Sequence, residues 1–173
     1  MPTEKEKKAL VALNLLIPLL TKRNFRWCIT GGFACCVYGV KRELTDIDVD
    51  IETTRESPSF QGLVSELTPY ITQPLEHFVD KNYDNYNFEI TIEGQVIDIC
   101  PMTEMKVFNK KEGIYECFYQ AGFPTIETVD FFGLKVPLLS KKLIIKNKEM
   151  LVWQRESDLR DIEALKELVI GKR

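Results

Sequence analysis

The sequence predicts an α/β (α+β) fold, a sheet flanked by helices and closed by a C-terminal helical pair. Three patterns point to it. Amphipathic helical periodicity stands at both ends of the chain, carboxylates alternate with branched aliphatics over residues 46–51, and two alternating runs meet at Glu93-Gly94. With 173 residues, the chain has the usual size of one domain, spanning 1–173, with a core at about 25–137 and C-terminal helices at about 138–170. A composition 45% hydrophobic and 28% charged is that of a globular protein able to bury an interior, and excludes disordered and fibrous classes.

Thr3 followed by Glu6 forms a capping box, and Leu10, Leu13, Leu16, Leu19 and Leu20 recur behind it, so a helix is expected over about 4–21. Pro18 is placed to kink or shorten its last turn. A β-rich run over 25–30 stops at Gly31-Gly32, and the small apolar residues 33–38 follow as a short helix. Residues 47–51 read as a strand with every Asp on one face and every Ile or Val on the other. Ser57-Pro58 opens a helix to about 67, and 86–92 with 95–100 make a β-hairpin. Scattered aromatic and β-branched residues over 115–136 imply short strands and loops. Two helices, at about 140–153 and 157–169, close the chain, the last with the stripe Leu159, Ile162, Leu165 and Leu168.

A formal charge of -3 and a pI near 5.4 give no strong nucleic-acid footprint. Four of the five cysteines, Cys28, Cys35, Cys36 and Cys100, sit in apolar runs with no C-x-x-C pair, so they read as buried thiols in a reduced, cytoplasmic setting. No signal peptide and no apolar run of about 18 residues is visible, so no membrane partner is expected.

Chemistry concentrates at residues 45–50. Carboxylates at alternate strand positions share a side, near enough for Asp46 and Asp48 to hold divalent cations about 3.5 to 4 Å apart. The register Asp48-Val49-Asp50 offers the same motif and stays open at this level. Asp98, between Ile97 and Ile99 on the second hairpin arm, is the candidate third ligand, because a charge flanked by aliphatics needs a partner or a metal. Gly31-Gly32 offers bare backbone that can approach phosphate. The lone His77 lies near no motif and reads as a loop residue, and Tyr83, Tyr86 and Phe88, which could stack a base, read as packing because aromatics at strand spacing more often pack.

Aliphatic-Gly-Gly, thirteen intervening residues (33 to 45), then Asp-Ile-Asp-Val resembles the signature of the nucleotidyltransferase superfamily that includes DNA polymerase beta, with Asp98 matching its third element. Gly31-Gly32-Phe33-Ala34, Tyr38-Gly39, Arg42, Thr45 and Asp46-Ile47-Asp48 are most similar to its small lincosamide-type and abortive-infection-toxin-type enzymes. Lys142-Leu143 and residues 155–162 resemble their late helical motifs. The resemblance implies a mixed, largely antiparallel sheet. It also implies two Mg2+ (or Mn2+) ions on Asp46 and Asp48, with Asp98 holding the catalytic ion and helping to deprotonate the acceptor. Thr45 would contact phosphate, and Arg42, Lys142 and Asp158 are further nucleotide-binding candidates. The activity implied is transfer of a nucleoside monophosphate from an NTP to a hydroxyl of a small molecule, protein or RNA end, releasing pyrophosphate. One alternative keeps the fold without turnover, as a binding or toxin–antitoxin-type regulatory component. Another, a metal-dependent phosphohydrolase, would be expected to carry histidine-rich ligands, which this chain lacks.

Overall fold

A computed structural model of the chain describes residues 1–119 and 122–171. The first helix, α1 (Glu4–Lys22), opens on the reciprocal Thr3–Glu6 capping box. Ala9, Ala12, Leu13, Leu16 and Leu20 form its buried stripe. Pro18 neither shortens nor ends it. It lies on the exposed face with Asn14, whose carbonyl loses its helical donor but remains open to water.

Among the described residues, nine strands form one mixed sheet: β1 (Trp27–Ile29), β2 (Ile47–Ile51), β3 (Ile71–Val79), β4 (Tyr83–Ile92), β5 (Gln95–Pro101), β6 (Lys106–Asn109), β7 (Ile114–Cys117), β8 (Ile126–Phe131) and β9 (Leu134–Leu139). The order is β7-β6-β4-β5-β2-β1-β9-β8, with β3 on the free side of β4. Only β2–β5 and β1–β9 are parallel, and every other pairing is antiparallel. The sheet is thus mixed and largely antiparallel. The predicted hairpin turns at Glu93 and Gly94, whose positive φ angles of 50° and 77° suit a two-residue turn.

Alternation sorts the sheet into two faces. Ile47, Val49 and Ile51 of β2, Ile97 and Ile99 of β5, and Phe88, Ile90 and Ile92 of β4 join the core with α1 and α3 (Pro58–Leu67). Phe60 of α3 meets Phe88 edge-on with centroids 5.8 Å apart. The opposite face is polar, bordered by α2 (Gly31–Val37), α4 (Lys141–Met150) and α5 (Glu156–Ile170).

The sequence pattern did not reveal β3. Most of it is exposed, so it lacks alternation, and its pairing with β4 shifts register on both sides of Gln73, next to Pro74, which cannot donate a ladder hydrogen bond. β6 was also unforeseen, and of the 115–136 segment β7 pairs with β6 and β8 with β9 in antiparallel hairpins. The helix expected to reach residue 153 ends at Met150, leaving Val152 and Trp153 in a loop. Among the described residues, no helix is long and apolar enough to cross a membrane.

Replacing Phe88, which is 0% exposed, by Ala should destabilise the fold by about 3–5 kcal/mol. Urea unfolding should show a lower midpoint with an unchanged slope.

Candidate active site

Parallel pairing of β2 with β5 sets Asp48 directly beside Asp98, and alternation turns Asp46, Asp48 and Asp50 away from the core. Tyr83, Asn85 and Asn87 of β4 flank them on the same face. Together they floor a cleft of ≈ 700 Å³ whose walls are the Gly31-Gly32 turn, the end of the β3–β4 hairpin, α4 and the start of α5.

Gly31 is required twice. Its φ of +60° is left-handed, and a Cβ there would stand 1.8 Å from Asp48 Oδ2. The adjacent Thr30 N–H donates to the Asp48 carbonyl at 2.9 Å, so backbone and carboxylate are fixed together. A Cβ on Gly32 would meet the guanidinium of Arg42 at 2.5 Å, the end of a long side chain and so a softer restriction than backbone.

The gathered carboxylates resist ionisation. Burial, reinforced by the charges of Asp46, Asp98 and Asp50, pushes Asp48 up to about 7. Asp98 rises to about 6, chiefly through burial, although the Asn87 amide donates to both its oxygens at 2.9 Å. Asp50 rises to about 7 through burial and accepts from the Tyr119 hydroxyl at 2.7 Å. That phenol already engages Asp50, which favours Asp46 and Asp48 as the pair open to the cleft.

Positive charge enters from the C-terminal helices. Lys148 of α4 is buried and bridges Asp158 at 2.6 Å and Asp161 at 3.0 Å. Asp161 also pairs with Arg42, and Asp158 accepts from Arg155 at 3.1 Å. Burial works to raise Asp158, but Arg155 and Lys148 outweigh it and hold the carboxyl at about 2.

Of the residues singled out in the sequence, Asp46, Asp48, Asp98, Gly31, Gly32, Arg42, Thr45 and Asp158 all line this one cleft. Lys142 does not. It is exposed on α4, whereas Lys148 follows the buried Ile144 by four residues and shares its inward face. That spacing is the sequence signal for Lys148. His77 lies on β3 rather than in a loop, stacked on Tyr86 and 2.7 Å from Asp84.

The cleft offers hard oxygen donors, the set a divalent cation takes. As they stand, no three carboxylate, imidazole or thiol groups among the described residues converge on one point. Thr45 holds Asp46 at 2.6 Å and Asp98 faces Asn87, so a cation would rely on few carboxylates plus ligand oxygens. This is the usual manner of Mg2+.

No family model matches the sequence, and no curated protein matches it. Solved structures do match. A Thermotoga maritima protein provisionally assigned as a nucleotidyltransferase superposes with a TM-score of 0.66 at 16% identity, over 96% of this chain and 95% of that one. The chain has the nucleotidyltransferase fold. Lincosamide antibiotic adenylyltransferase LnuA, solved with lincomycin, shares that fold at a TM-score of 0.58 and 20% identity, over 96% of this chain and 98% of its own. So does ANT(2'')-Ia, solved with adenylyl-2''-tobramycin, at 0.57 and 17%, over 95% of this chain and 90% of its own.

Two outcomes are expected of this nucleotidyltransferase-fold cleft. The folded pKa values of Asp48 and Asp98 lie above the unfolded value of 3.8, so the folded state holds extra protons between that pH and about 7. Stability in metal-free buffer should therefore fall as pH rises through that window and level off above it. Asp48→Asn should flatten the decline in urea titrations from pH 4 to 8, and an unaltered profile would contradict the assignment. Lys148→Ala removes the buried cation shared by Asp158 and Asp161, leaving them only Arg155 and Arg42, and should cost about 3 kcal/mol in the same assay.

Proposed function

We propose that the protein is a metal-dependent nucleotidyltransferase that moves a nucleoside monophosphate from an NTP to a hydroxyl-bearing acceptor. The observation carrying this reading is the in-register Asp48–Asp98 pair beneath the Gly31 backbone, in a cleft also lined by Lys148 and Arg155. Carboxylates would otherwise repel a triphosphate. The clustering therefore favours a site completed by divalent cations.

Asp46, Asp48 and Asp98 would hold the Mg2+, which when bound neutralises phosphate charge and lowers the pKa of an attached oxygen. Gly31 and Gly32 allow phosphate to approach the backbone, with Thr45 at the same end of the cleft. Arg155, whose side chain is largely exposed, supplies the remaining positive charge, while Lys148 is held by Asp158 and Asp161. The acceptor oxygen forms a bond to the α-phosphorus as the bond from that phosphorus to the bridging oxygen breaks. The electron pair leaves on pyrophosphate, and the hydroxyl proton passes to Asp98. Fixed positioning and charge complementarity supply the acceleration. The antibiotic acceptors of LnuA and ANT(2'')-Ia make hydroxyl-bearing small molecules the first pool to screen.

Calorimetry with Mg2+ and each NTP should give binding by the wild type, lost or weakened at least about tenfold in Asp46→Asn/Asp48→Asn. Unchanged binding by the double variant would refute the metal-site claim. A labelled-NTP transfer screen then reads turnover, with Asp98→Asn expected to abolish transfer while retaining most nucleotide affinity.

A further inference from the structure

Two large apolar side chains that line the cleft are left open at its rim. Trp153 is 61% exposed and Phe78 is 42% exposed, and neither belongs to the apolar core or to the partly buried residues packed on it. The other large aliphatics of the lining, Val49, Met105, Leu139, Ile144 and Leu151, are buried. Neither open ring stacks on another aromatic ring or holds a cation among the described residues.

The backbone beneath Trp153 is held firmly. Asn82, buried in the β3–β4 turn, accepts from the Val152 N–H at 2.8 Å and the Trp153 N–H at 3.2 Å, and donates to the Trp153 carbonyl at 3.3 Å. Asn82 is itself fixed. Its N–H donates to Asp80 Oδ1 at 2.8 Å, and its carbonyl accepts from the Phe108 N–H at 2.9 Å. On the α4 side, Gln154 Nε2 donates to the Lys148 carbonyl at 2.7 Å. An exposed indole on a loop whose backbone is clamped from both sides has only its own two side-chain torsions left to order when a ligand stacks on it.

We infer that Trp153, held in place by Asn82, is the platform on which the base of the nucleotide substrate stacks, with Phe78 at the same rim. This rests on the nucleotidyltransferase reading and extends it to the base. Charge complementarity selects that occupant. Arg155, whose guanidinium is largely exposed, follows Trp153 by two residues and lines the same cleft, so the platform adjoins a cation that would face the triphosphate, as a planar group joined to a polyanion requires. An indole face attracts a base through its π surface rather than its edges.

The test separates base from phosphate. Mg2+ with ATP and Mg2+ with inorganic tripolyphosphate, which has no base, are titrated calorimetrically into wild type, Trp153→Ala, Trp153→Phe and Asn82→Ala. ATP should bind about tenfold more weakly to Trp153→Ala, the loss expected for one stacked base. Trp153→Phe should recover most of the affinity, Asn82→Ala should show a smaller selective loss, and tripolyphosphate should bind all four alike. ATP should also quench the wild-type emission through Trp153, because the second tryptophan, Trp27, is buried. Unchanged ATP affinity in Trp153→Ala, or an equal loss of ATP and tripolyphosphate, would overturn the platform while leaving the metal site standing. Failure of wild type to bind either probe would overturn both readings.

Discussion

Like charges drawn together on neighbouring strands are the constraint around which the polar half of this molecule is arranged. In-register pairing of β2 with β5 places Asp48 against Asp98, with Asp46 and Asp50 on either side of Asp48 along the same face. Burial makes their ionisation harder still, which is why Asp48 and Asp98 are held well above the ordinary carboxylate range. Such a cluster lowers the stability of the empty chain near neutral pH. The cost makes chemical sense where a cation and a polyanion complete the site, since the same carboxylates are then stabilised in their charged form.

The surrounding structure both permits the cluster and limits it. Gly31 removes the side chain that would collide with Asp48, and Asn87 and Tyr119 each supply a neutral donor to one carboxylate. The C-terminal helices bring a separate charge network to the cleft. Lys148 reaches Asp158 and Asp161 from inside the fold, and Asp161 holds Arg42 over Gly32. Removing one member of such a buried network is costly because its partners remain charged and unsolvated. The network therefore ties α4 and α5 to the α2–β2 loop and fixes the wall facing the carboxylates.

Much of this was legible in the sequence wherever one face is apolar and the other polar. The Asp46-Ile47-Asp48 alternation, the Glu93-Gly94 turn and the Thr3–Glu6 cap each follow from local rules, and the structure contains all three. Local rules failed where tertiary pairing decides. β3 is exposed and interrupted by Pro74, so only its pairing with β4 makes it a strand. Lysines 142 and 148 look alike in composition, and only helical phase relative to Ile144 separates the exposed one from the buried one. The Asn82 clamp joins residues 70 and 71 positions apart in the chain, beyond the reach of any local pattern.

The most direct test of the metal-centred account is a crystal structure with Mn2+ and a non-hydrolysable NTP analogue, read by anomalous scattering. The account predicts two manganese peaks about 3.5–4 Å apart, both bridged by Asp46 and Asp48, with one also on Asp98 and with phosphate oxygens completing each shell. Asp98 would have turned from Asn87 toward the ion. A nucleotide bound with no manganese at these carboxylates, or manganese bound only elsewhere, would contradict it.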